Sequence, residues 1–121
     1  MKFRKILTTA LALCCLTACN SRPKNISDEM YNYAESVIRA VDAYMDNQLP
    51  FETAYTKITG LKDDADKCSD DKSYSKNFSA YHEIALIYMT IYEEYMGWST
   101  YADLAGRRNK LAEEIGYPTR D

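Results

Sequence analysis

The chain has 121 residues, with 15 basic and 18 acidic side chains, a formal charge of −3, four cysteines and eleven tyrosines. That acidity excludes a general nucleic-acid binder, whose affinity comes largely from neutralising phosphates. The length supports one domain with a modest core.

Taken in chain order, Lys2, Arg4 and Lys5 precede thirteen uncharged, mostly apolar residues, 6–18. A basic start and a short apolar run are the parts of a secretory signal. The run is too short to span a hydrocarbon core, which takes about 20 apolar residues. Cys14, Cys15 and Cys19 cluster here, yet they make a poor metal site. Apolar surroundings raise thiol pKa values, and the one histidine, His82, is far away in sequence.

Leu16-Thr17-Ala18-Cys19 resembles the lipobox of bacterial lipoproteins: Leu at −3, two small residues, then the cysteine. Cys14 and Cys15 have Leu13 and Cys14 immediately before them, where a small residue is required. The resemblance implies that the Cys19 thiol carries a diacylglyceryl group and that the chain is cut between Ala18 and Cys19. The new amino group is then open to acylation, for example with palmitate. Two or three acyl chains anchor stably where one binds only marginally. Residues 1–18 are thus expected to be a cleaved signal peptide. The remaining 103 residues carry 12 basic and 18 acidic side chains, a formal charge of −6. Only Cys19 and Cys68 survive, leaving no internal disulfide. Residues 19–26, polar and with Pro23, are expected to be a tether of at most about 25 Å, with the folded domain over 27–121.

Four helical patterns follow. The first, 27–48, opens on Ser27-Asp28-Glu29, a cap followed by acids at the positive end of the dipole. Met30, Ala34, Val37, Ile38, Val41, Tyr44 and Met45 form its stripe, with Glu35, Arg39, Asp42 and Asp46 opposite. Leu49-Pro50 stops it. The second, 51–69, has Phe51, Ala54, Tyr55, Ile58, Leu61, Ala65 and Cys68 inward and Gly60 outward. Its acidic end is no EF-hand: a loop starting at Asp64 would need Gly at 69 and Glu at 75, and both are Ser.

The third pattern, 75–96, is apolar around most of its girth: Phe78, Tyr81, Ile84, Ala85, Tyr88, Met89, Ile91, Tyr92, Tyr95 and Met96, widened by Leu86 and Ile87. Glu83, Thr90, Glu93 and Glu94 are left as a polar strip. Such a helix is expected to be surrounded, hence central. The fourth, 100–115, starts at a Thr100/Asp103 capping pair, carries Tyr101, Leu104, Ala105, Leu111, Ala112 and Ile115, and ends at Gly116 and Pro118. Short connections predict an all-α, up-and-down bundle of four helices with helix three central. The shorter last helix lying across the end is the alternative arrangement.

No catalytic constellation appears, and an enzyme is not expected. His82-Glu83 lacks the second histidine of HExxH, since residue 86 is Leu. No metal or cofactor is expected, and Met30, Met45, Met89 and Met96 fit helical stripes rather than haem ligation. Arg108 is the oddity, a guanidinium at the centre of the last apolar stripe. It must pair with a carboxylate or snorkel. With Arg107 and Lys110, it is also a candidate contact for a partner or an anion. Cys68 reads as an inert thiol. The many tyrosines suit semi-exposed binding faces.

The expected protein is therefore exported and lipid-anchored to the bacterial membrane through Cys19. Its helical module is expected to engage another envelope or extracellular protein. A bundle binding a small hydrophobic or aromatic ligand is the second expectation. Cys19→Ala is expected to move the chain from the membrane to the soluble fraction or to block its processing, read by fractionation and gel mobility. Unchanged fractionation and mobility would refute the anchor.

Overall fold

The computed structural model describes residues 22–121 as four helices: α1, Asp28–Met45; α2, Phe51–Asp66; α3, Asn77–Tyr95; and α4, Tyr101–Ile115. Residues 1–21, on which the expected signal peptide and lipid-bearing Cys19 fall, lie outside the described residues. The local signals act where the sequence puts them. Ser27 caps α1, its Oγ accepting from the Met30 amide at 3.1 Å. Asn47 adopts a left-handed φ of 59°, and Pro50 lends its carbonyl to the first turn of α2 (3.0 Å to the Ala54 amide). Gly97, at φ 79°, ends α3. Thr100 and Asp103 exchange the reciprocal bonds of a capping box, 3.2 and 2.8 Å. Gly116, left-handed at φ 73°, closes α4 and lets the Tyr117 amide reach Ala112 O at 2.8 Å.

α1 packs against α2 and α4 and touches α3 across the diagonal; α3 likewise meets all three others, while α2 and α4 do not touch. This is a four-helix bundle in which α1 and α3 share the centre. The expected enclosure of α3 therefore holds on one side only. Its inward face is Asn77, Ala80, Ile84, Ile87, Thr90 and Ile91. Phe78 and Met89, expected in the buried stripe, are exposed, and Thr90, expected in the polar strip, is buried with Oγ1 donating to Leu86 O at 2.7 Å. The reason is physical. Apolar residues on nearly every side leave the rotation of a helix undetermined, and the β-branched Ile84, Ile87 and Ile91 win the core because they fit between the neighbours. Tyr101 is exposed as well, leaving α4 held by Leu104, Leu111, Ala112 and Ile115.

The expected tether also changes. Ile26 is only 2% exposed and belongs to the core. Asn25 accepts from the Lys76 amide at 3.0 Å and donates to Ser75 Oγ at 2.9 Å. The fold thus begins at the end of the segment read as a linker. Asn77 completes this joint. Fully buried, it accepts from the Ser27 amide (3.0 Å) and donates to Ser27 Oγ and Cys68 O (both 3.0 Å). One amide thereby ties the starts of α1 and α3 to the segment that follows α2.

Two helical glycines contribute nothing to these contacts. A Cβ at Gly60 or Gly106 would meet nothing within 4 Å, and both are exposed. Gly60→Ala and Gly106→Ala are each expected to raise stability by about 0.5–1 kcal/mol in urea denaturation. The gains should add, since α2 and α4 are not in contact.

Candidate functional site

The structure separates the three candidate cations. Arg108 is 3% exposed and turned inward toward α1. Its Nε and Nη2 donate to Asp42 Oδ1 and Oδ2, both at 2.9 Å, the bidentate geometry that suits a guanidinium. Nη1 donates to Asn109 Oδ1 at 3.1 Å and to Pro118 O at 2.7 Å. Arg120 reaches the same carboxylate at 3.1 Å and Asp46 at 2.8 Å. Asn109 holds the returning tail through Arg120 O (2.6 Å) and the Arg120 amide (3.0 Å). Arg108 is therefore a structural residue of the α1–α4 joint, and its donors are turned away from any outside anion. Arg107 and Lys110 instead line an open groove of about 560 Å³ between α3 and α4, where Glu93 and Asp103 stand beside them. That lining mixes both signs of charge.

Burial alone would raise the Asp42 carboxyl, but the hydrogen bonds from Arg108 and Arg120 and their charges prevail and hold it below the usual range. Burial, followed by the charge of Glu29, pushes the Cys68 thiol up, so it stays protonated at neutral pH. His82 is exposed. Among the described residues, no group of three or more His, Cys, Asp or Glu side chains is placed to hold a metal ion, and no helix is long and apolar enough to cross a membrane.

The feature that remains is aromatic. Along the seam between α2 and α3, Phe51 stacks on Tyr95 (centroids 3.8 Å, planes 10° apart) and on Tyr55 (5.3 Å, 18°). Tyr55 stacks in turn on Tyr88 (5.3 Å, 19°). Tyr92 leans against Phe51 and Tyr55 at 6.5 and 5.8 Å, and Trp98 meets Tyr92 edge-on at 6.2 Å. Tyr44 closes the series edge-on to Phe51 at 6.2 Å, its hydroxyl donating to Glu94. The Tyr55 hydroxyl donates to that of Tyr88 at 2.9 Å. That bond, followed by burial, pushes Tyr55 up to about 12.

Two local features present this ladder. Residues 51, 55, 88, 92 and 95 recur at 3–4 spacing, so each helix turns its rings to the same seam. The turn after α3 is pinned by the Trp98 and Ser99 amides, which donate to Glu93 O at 2.7 and 3.2 Å, and it swings Trp98 back over Tyr92. The outer side stays open: Trp98 is 67% exposed, Met89 55% and Tyr92 39%. Tyr55, Tyr88, Met89, Tyr92, Glu93 and Trp98 line a groove of about 380 Å³ there. The abundance of tyrosine is visible in the sequence, but the ladder is not. Phe51 and Tyr95 are 44 residues apart, and their stacking follows from the way α2 and α3 pair. Comparison with family models, curated proteins and solved structures finds no match to this chain.

The ion-pair joint makes an asymmetric prediction. Asp42→Asn leaves a buried guanidinium without its counter-charge and is expected to cost about 3 kcal/mol in urea denaturation. Arg108→Met is expected to cost less than half of that, since Arg120 still neutralises Asp42. Because the folded-state pKa of Asp42 is depressed, its contribution is fully present above the unfolded value of about 3.9 and is lost as pH falls through the folded value. The acid limb of the stability curve should flatten in Asp42→Asn.

Proposed function

We propose that the protein is a lipid-anchored module of the bacterial envelope that docks another protein through the α2–α3 aromatic face. The exposed ladder is the observation that carries this reading. Contiguous apolar surface built from Trp, Tyr and Met is the composition of interface centres and exceeds what a solvated helix face needs. Its rings are already stacked and the Tyr44, Tyr55 and Tyr88 hydroxyls already bonded, so docking orders little that is not ordered before. The anchor rests on the lipobox ending at Cys19.

Geometry supports a division of labour between the two ends of the bundle. Three peptide units join Cys19 to Arg22, at most about 11 Å. Arg22 is ion-paired with Asp28 at the start of α1. α1 has 18 residues, about 27 Å at 1.5 Å each. Tyr44, at its far end, meets Glu94 near the end of α3. Tyr95 and Trp98 therefore belong to the end remote from the anchor, turned toward a partner rather than the bilayer. The second reading, a small hydrophobic ligand between the helices, has less support. The facing side chains there, such as Ile38, Ile58, Ile84 and Leu111, are fully buried against one another, and the aromatic groove lies on the outside.

A photo-crosslinker at residue 89, introduced in the native envelope, is expected to trap a partner that the same group at the exposed residue 72 does not. Adding Trp98→Ser and Tyr92→Ser should abolish capture at a stability cost of about 1–3 kcal/mol, since Tyr92 also packs on Phe51 and Tyr55, with circular dichroism checking that the bundle stays folded. Capture that survives both substitutions counts against the aromatic face.

A further inference from the structure

The aromatic groove is lined by a single charged side chain, the acid Glu93; Lys62 stands over its Tyr88 ring, and Arg107 and Lys110 share the neighbouring groove with Glu93 without an ion pair to it. Glu94 is the next residue of α3, and Glu52 sits exposed in the first turn of α2 beside Phe51. No cation among the described residues pairs with any of these three, whereas Glu35, Asp42, Asp46 and Glu114 each have one. The rings add to the attraction, because an aromatic face carries negative potential and draws ammonium and guanidinium groups. The chain already uses this on the same ladder: Lys62 Nζ stands 4.7 Å from the centroid of Tyr88.

We infer that the groove seats a lysine or arginine side chain of the partner polypeptide. Met89, Tyr92 and Trp98 would cover its apolar stem, and Glu93 would meet its charged head. The inference rests on the face being a protein-docking surface and names the chemistry that surface selects. A volume of about 380 Å³ accommodates one long side chain and the backbone beside it. The groove is open, so a free amine would stay mostly in water. A side chain carried by a docked polypeptide is held in place by the neighbouring contacts on Tyr95 and Met96, both exposed.

Trp98 is the one tryptophan of the chain and reports the groove directly. The full chain in detergent is titrated with three peptides of about twelve residues, alternating Ala with Arg, with citrulline or with Glu. The arginine peptide is expected to shift Trp98 emission saturably and to bind about tenfold more tightly than the citrulline peptide, with the glutamate peptide silent. Glu93→Gln should weaken the arginine peptide about fivefold. Asp70→Asn, the same charge change at an exposed site on the opposite end, should leave it unchanged and so excludes mere attraction to net charge. Equal binding of arginine and citrulline peptides, or indifference to Glu93→Gln, overturns the inference. Saturation by tetramethylammonium chloride at the peptide's own affinity overturns the polypeptide as the source of the cation. Partner capture at residue 89 that persists in Glu93→Gln sinks the cation alone and leaves the docking face standing. The two claims therefore fail separately.

Discussion

A guanidinium in the core of a small bundle must find a carboxylate, and the pairing of Arg108 with Asp42 is the constraint from which much of this structure follows. An unpaired charge there would cost several kcal/mol, so any rotation of α4 that parts the two side chains is disfavoured. The pair joins the middle of α4 to the last turns of α1 and recruits Arg120, Asn109 and the carbonyl of Pro118. The tail after Gly116 is thereby folded back onto the bundle. Replacing such a pair by apolar side chains is often neutral or stabilising, so its contribution here is to register more than to net stability.

Asn77 plays the corresponding part at the other end. Its fully buried amide satisfies Ser27 and Cys68, and it fixes where α1 begins relative to α3. Between these two polar joints the core is built of Ile, Val, Leu, Met30 and small residues such as Ala34, Ala54, Ala80 and Ala112. Alanines let helices approach closely. No room is left at the centre for large rings, and the tyrosines pack at its margins instead.

This exclusion makes the aromatic face. Several of the rings kept from the centre collect along the α2–α3 seam, whose outer side stays open. Tyrosine suits the position because its ring packs while its hydroxyl bonds, as in Tyr44 to Glu94 and Tyr55 to Tyr88. In the proposed docking role, rings that are already stacked would lose little entropy, so more of the contact energy would remain as affinity.

Much of this was legible in the residues alone. Ser27, the Thr100–Asp103 pair and Gly116 act through neighbours within a few positions, so their roles follow from local chemistry, and the four helices with their approximate limits follow from the 3.6 period. Arg108 was conspicuous for the same reason, being the wrong residue for its stripe. Other features depend on contacts far along the chain. Asp42 reads as one of four solvent-facing charges until α4, 66 residues on, delivers the guanidinium. Asn77 carries no sign of its burial. Ile26 looks like the end of a tether until the start of α3 covers it. The rotation of α3 was undetermined because apolar side chains on nearly every face remove the contrast that periodicity needs. Local backbone chemistry thus settled where the helices begin and end, and only their packing decided which rings were left outside.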